Sequence, residues 1–261
     1  MLTALTRGVS SRIAECELSY IERQPIDFDL AVQQHQNYQH LLRSLGVSVT
    51  EIPAQNDCPD CCFLEDTALM LDELAVVARP GSETRRREVE GVLPSIRKYR
   101  HEIVAIEPPA TLEGGDVLRV GRNLFVGLTE RTNREGIEAL TGLVAPHGYV
   151  VHAVDVPGAL HLKSVCTAVN ERTILTESSR LDLSPFKGFD IIKVPPHEWM
   201  AANILLIGRA VCMHSGFAET QSLLQRHGFD VRTVDISEFL KAEAGLTCMS
   251  LIFRQPQSDK Q

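Results

Sequence analysis

The chain repeats one arrangement of hydrophobic and polar positions. Pairs of short apolar runs, each split by turn-forming residues, recur as "TALML-DE-LAVVARP", "DVLRV-GR-NLFVGLT", "VCTAV-NE-RTILTES" and "ANILLI-GR-AVCMHS". Each pair predicts a β-hairpin. Interspersed with these pairs, "LLRSLGVSVTEIP", "LVAPHGYVVHAVDV" and "LLQRHGFDVRTVDI" each pass from a helical end through Gly to a β-branched strand. Gly46, Gly148 and Gly228 fit the left-handed residue that ends a helix. "IRKYRHEIVAIEP" is a version without the Gly, and "KGFDIIKVP", with Gly188, one built on a very short helix. Helices are expected over 28–45, 85–99 (kinked at Pro94), 132–146 and 217–227. Tyr38, Leu41, Leu42 and Leu45 form an apolar helical stripe, and Thr132 with Glu135 forms a capping-box pattern.

The unit is therefore strand–strand–helix–strand, five times over at roughly 40–55 residues, a period that suggests a propeller-like array. The C-terminal "CMSLIF" and N-terminal "LTALTRGV" can form the fifth hairpin and close a ring. The expected class is α/β, with residues 1–261 as a single domain; an ordinary open α/β sheet is the competing architecture.

A closed ring changes the meaning of the polar residues. The loops entering each hairpin read "CPDCCFLED", "PATLEGGD", "GALHLKS", "HEWMAAN" and "EAGLTC". Glu65, Glu113, His161, Asn203 and Cys248 fall at matching points, spaced 48, 48, 42 and 45 residues apart. Around a common axis these residues converge, with Asp66 beside the first. An imidazolium lowers a thiol pKa and shuttles protons, and a carboxylate orients and charges the imidazole. The extra acids ask for a delocalised cation, and a guanidinium offers a planar fork of donors to paired carboxylates. Taken singly, the same residues read as buried packing, a satisfied structural histidine and a turn glutamate.

Composition narrows the classes. With 261 residues and 44% apolar content the chain can bury a large core. The formal charge of −8, without a basic stripe, argues against a nucleic-acid partner and suits a cationic small molecule. "MLTALTRGVSSRIAE" lacks the apolar segment of a secretory signal, and "NILLIGRAVCM" is too short and too charged to span a membrane. Seven cysteines, an odd number without an export signal, fit reduced thiols in the cytoplasm. "CPDCC" contains a C-x-x-C, Cys58 to Cys61, but no second pair completes four zinc ligands.

Along nearly the whole chain, the blocks "CFLED", "ARPGSETRRRE", "TLEGGDVLRVGRNLFVGLTERTN", "LHLKS" and "GLTCMSL" resemble the dimethylarginine dimethylaminohydrolases of the amidinotransferase superfamily. The resemblance implies a five-bladed pseudo-propeller of ββαβ units with the active site in its central channel. It implies hydrolysis of Nω-methylated arginine to citrulline and methylamine or dimethylamine, with no metal or other cofactor required. Cys248 would be the nucleophile that forms a covalent thiouronium, His161 the proton carrier and Glu113 its carboxylate partner. Asp66, with Glu65, would surround the guanidinium; Arg85 and Arg131 would hold the α-carboxylate. Asp60, with the backbone carbonyls of Leu18 and Ala242, would cradle the α-amino group, Leu18 lying on a mobile lid. The roles of Cys61 and Cys62 beside these carboxylates, the lid "AECELSYIERQP", and assembly as a homodimer stay open. So do two alternatives: a hydrolase of arginine, citrulline or a related guanidino or ureido compound, and a non-catalytic, metal-responsive protein using "CPDCC".

Overall fold

In the computed structural model all five apolar pairs form antiparallel strand pairs, the fifth joining the first strand to the last. The structure describes residues 1–255; residues 256–261, part of the span expected to form one domain, lie outside the described residues. β1 (Leu2–Arg7) is followed by α1 (Phe28–Ser44) and β2 (Ser48–Ile52). The second unit runs through β3 (Ala68–Met70), β4 (Leu74–Val77), α2 (Arg86–Ile96) and β5 (Glu102–Ala105). The third has β6 (Val117–Val120), β7 (Asn123–Leu128), α3 (Arg134–Val144) and β8 (Val150–Asp155). In the fourth, the short α4 (Leu162–Val165) enters β9 (Cys166–Ala168), β10 (Thr173–Thr176) and β11 (Asp190–Lys193). The fifth comprises β12 (Leu205–Ile207), β13 (Ala210–His214), α5 (Ala218–Arg226) and β14 (Asp230–Val234). α6 (Ser237–Leu240) then leads to β15 (Leu251–Arg254), which pairs antiparallel with β1, Leu5 opposite Leu251.

Each of the five sheets has three strands. The central strand runs antiparallel to its hairpin partner and parallel to the third strand. A parallel neighbour needs a crossover, which is why a helix follows the hairpin in four units. In the fourth unit the crossover holds only 3-10 turns, the last of them Ser184–Phe186 just before Gly188.

Local signals set the helix ends. The Asp27 carboxylate caps α1 by accepting from the Leu30 N–H at 3.0 Å, and Gly46, at φ +80°, turns the chain out of it. Tyr38 and Leu42 of its stripe are fully buried, with Leu41 and Leu45 packed beside them. Two expectations need correction. α3 is capped by Asn133, whose Oδ1 accepts from the Gly136 N–H at 2.8 Å, and Thr132 instead accepts from the Glu113 N–H at 3.1 Å. α2 stops at Ile96, two residues past Pro94, rather than reaching 99.

The apolar core divides into clusters wedged around the ring. Residues of β3, β6, β9, β12 and β15, the strands that enter each blade, all line one cavity of about 330 Å³. These strands therefore face a common axis, and the loops that precede them meet at its other end.

Candidate active site

Cys248 sits in a 3-10 turn (Thr247–Met249) just before β15 and is half-buried. Its Sγ accepts from the Gly245 N–H at 3.4 Å. The turn is braced by Asn203, which donates to Thr247 Oγ1 and to the Lys163 carbonyl, both at 3.0 Å, and accepts from the Thr247 N–H at 3.1 Å. Asn203 thus occupies its equivalent place in the repeat as a support of the cysteine loop.

His161 immediately precedes α4 and is almost fully buried. One ring nitrogen lies 2.6 Å from Glu113 Oε2 and 3.9 Å from Asp66 Oδ1. Glu113 has no exposed surface. The glycines after it permit this packing: a Cβ on Gly114 would lie 2.0 Å from the Glu65 carbonyl oxygen. One on Gly115 would lie 2.5 Å from His161 Nδ1 and 2.8 Å from Asp66 Oδ1. Asp66 is held in turn by the Gly115 N–H at 2.9 Å and by Arg85 Nη1 at 2.8 Å.

These contacts set the charges. Burial alone would lower the His161 pKa, but the Asp66 charge and the Glu113 hydrogen bond outweigh it and hold the imidazole up to about 9. Burial would raise Asp66; the His161 and Arg85 charges bring it down to about 2. For Cys248, burial and then the Glu65 and Asp66 charges push the thiol up to about 12. Before any cation enters, the resting pair at neutral pH is a thiol and an imidazolium.

Cys248, His161 and Asp66 line a single narrow cavity that also takes in Asp60, Arg85, Arg131 and Ala242. Glu113 stands behind His161. Arg85 is buried, with its other donors on Glu88 (3.0 and 3.3 Å) and the Phe63 carbonyl (3.3 Å). Arg131 is more accessible and reaches Glu17 and Ser19. Leu18 packs its side chain on the apolar cluster around Phe239, between Glu17 and Ser19. Glu65 stands apart from the other candidates: its carboxylate is bonded to Lys163 Nζ and Thr247 Oγ1 and lines the opposite cavity. This pair closes the axis between the two openings.

Sequence reasoning missed Glu17, Lys163, Thr247, Glu88 and Glu243. All five lay within stretches already singled out, "AECELSYIERQP", "ARPGSETRRRE", "LHLKS" and "EAGLTC", but nothing local marked which of their side chains would turn toward the site. Of metal-ligating groups, atoms of Asp66, Glu113 and His161 lie within 4.8 Å of one another. Arg85 and the imidazolium already supply positive charge there. Among the described residues Cys58, Cys61 and Cys62 join no such group; Cys61 Sγ instead contacts the Gly8 carbonyl at 3.8 Å.

A five-bladed ββαβ ring with a thiol, an imidazole and acids at its axis defines a member of the amidinotransferase superfamily. Residues 17–251 match the family model described as N,N dimethylarginine dimethylhydrolase, eukaryotic. The chain belongs to the dimethylarginine dimethylaminohydrolase family. It is 35% identical over 252 residues to the N(G),N(G)-dimethylarginine dimethylaminohydrolase of Streptomyces coelicolor, covering 97% of each chain. The Pseudomonas aeruginosa protein of that name is 33% identical, with 87% of this chain and 90% of that one covered. A solved structure of the Pseudomonas aeruginosa enzyme, a Cys-to-Ser mutant complexed with citrulline, superposes with TM-score 0.92 at 30% identity, covering 96% and 98%. The N-terminal domain of a cyanobacterial arginine dihydrolase, at 17% identity, TM-score 0.87 and coverage of 98% and 99%, shares the fold.

Proposed function

We propose that this chain hydrolyses Nω-methylated L-arginine to L-citrulline and methylamine or dimethylamine through a covalent Cys248 intermediate. The observation that carries this reading is the shared cavity of Cys248 and His161, with His161 fastened to Glu113 and flanked by Asp66.

The substrate guanidinium lies against Asp66, with Glu113 acting on it from behind His161. Its positive charge beside Cys248 opposes the effect of the acids and lowers the thiol pKa, so the thiolate forms with substrate in place. Sγ attacks the guanidinium carbon, and the imidazolium of His161 gives its proton to the departing amine. A thiouronium remains. Neutral His161 then takes a proton from water, whose oxygen adds to the same carbon; as the C–S bond breaks, the remaining hydroxyl proton passes to sulfur, leaving citrulline, the thiol and the imidazolium. Preorganised carboxylates around the delocalised charge supply the electrostatic stabilisation. Arg131, with Arg85, receives the α-carboxylate through a planar fork of donors, while Asp60 and the carbonyls of Leu18 and Ala242 receive the ammonium. Glu65 acts from behind, fixing Thr247 next to the nucleophile. The seven unpaired cysteines support a reducing compartment such as the cytoplasm.

The test is release of citrulline and dimethylamine from asymmetric dimethylarginine, compared with monomethylarginine, arginine and citrulline. Cys248→Ser abolishes turnover on this reading; normal turnover by that variant rejects the assigned nucleophile.

A further inference from the structure

On the strap 16–27, Glu17 lines the cavity and makes contacts that the reaction itself does not require. Its backbone N–H donates to both Asp60 oxygens, at 3.2 and 3.3 Å. Its carboxylate accepts from Arg131 Nη1 at 3.2 Å and from Ser82 Oγ at 2.6 Å, with Thr84 Oγ1 as a third donor. Asp60 and Arg131 are the two groups proposed above as anchors for the ammonium and carboxylate of the amino-acid substrate. One residue therefore presents an N–H donor and a carboxylate to the same two anchors. The strap is fastened in this position: the buried Glu243 carboxylate accepts from the Ser19 N–H at 2.8 Å and the Tyr20 N–H at 3.1 Å.

From this geometry we infer that Glu17 is a specificity-determining residue: its carboxylate competes with the substrate α-carboxylate for Arg131. The inference rests on the reading of Arg131 as the carboxylate anchor. Arg131 Nη1 already lies 3.7 Å from Glu113 Oε1, so its charge is shared between two acids before substrate arrives. A third carboxylate must either displace Glu17 or sit beside it, and like charges at that range oppose binding. A guanidino compound without a carboxylate meets no such opposition and finds an acidic wall.

The experiment compares KM and kcat for asymmetric dimethylarginine and for its decarboxylated counterpart, the same dimethylguanidinium on an aminobutyl chain. Glu17→Gln keeps the shape and removes the charge; Glu17→Gly removes the side chain and serves as the second variant. Both should lower KM for the amino acid about three- to tenfold with kcat shifted less than about twofold. Neither should lower KM for the decarboxylated compound. An unchanged ratio of the two KM values in both variants overturns the inference. Arg131→Ala separates the two levels, because it should raise KM for the amino acid alone. If it does so while the Glu17 variants leave the ratio unmoved, only the role of Glu17 falls. If it has no effect on that KM, the anchor assignment falls and Glu17 with it.

Discussion

Replacing Gly115 by Ala tests whether the imidazole depends on the glycine-made space beside it. The added Cβ would stand 2.5 Å from His161 Nδ1, 2.7 Å from its Cγ and 2.8 Å from Asp66 Oδ1. Contact distances between such atoms are about 3.5 Å, so the ring must retreat by roughly 1 Å. The ring cannot move that far and keep its 2.6 Å bond to Glu113, because both residues are buried and closely packed. A misplacement of this size typically costs about 10²-fold in rate, and overpacking costs about 1–3 kcal/mol of stability. Gly115→Ala should therefore lower kcat by about two orders of magnitude while lowering Tm only by several degrees. Steady-state citrulline release gives the first quantity and thermal unfolding the second. A folded Gly115→Ala protein with kcat within about threefold of the native enzyme refutes the claim that His161 is positioned by this packing.

Other consequences are as direct. Asn203→Ala leaves the buried Thr247 N–H without its acceptor, costing about 1–3 kcal/mol, and should lower kcat more than tenfold as the Cys248 turn loosens; iodoacetamide labelling and kinetics report it. His161→Gly removes the proton donor, so asymmetric dimethylarginine should give neither citrulline nor an adduct, whereas an analogue with an S-methyl leaving group, which departs without a proton, should leave a protein-bound adduct, read by intact-protein mass. The same variant tests linkage. The His161 pKa is raised from 6.5 to about 9, so its stabilising contribution is full below pH 6.5 and lost as pH rises through 9. The Tm gap between native and His161→Gly protein should shrink between pH 6 and pH 10. Asp66, lowered from 3.8 to about 2, contributes above pH 3.8 and loses that contribution as pH falls through 2. The thiol titration supplies a fourth check: Cys248 of the free enzyme should be alkylated slowly at pH 7 and progressively faster toward alkaline pH, and a bound guanidinium should move that rise downward.

Local signals in the sequence determined the repeat. Turn residues between apolar runs placed the hairpins, Gly46, Gly148 and Gly228 marked the ends of helices, and the apolar stripe of α1 named its buried face. These are short-range effects, decided by φ preference, strand alternation and helix period, and they read directly from neighbouring residues. Because each repeat carries its polar residue just ahead of the entering strand, the approach of Cys248, His161, Glu113 and Asp66 to one axis could also be read once closure was assumed.

Tertiary structure decided what those residues touch. Glu65 and Asp66 are adjacent in sequence, yet one turns to Lys163 and Thr247 and the other to Arg85 and Gly115. The capping duty expected of Thr132 falls to Asn133, because the Glu113 N–H lies close enough to claim the threonine. Glu17 meets Arg131 across 114 residues, and Glu243 meets Ser19 across 224. No local preference encodes such pairs. They form when ring closure removes water from buried donors and acceptors, which must then find partners within reach, whatever their distance along the chain.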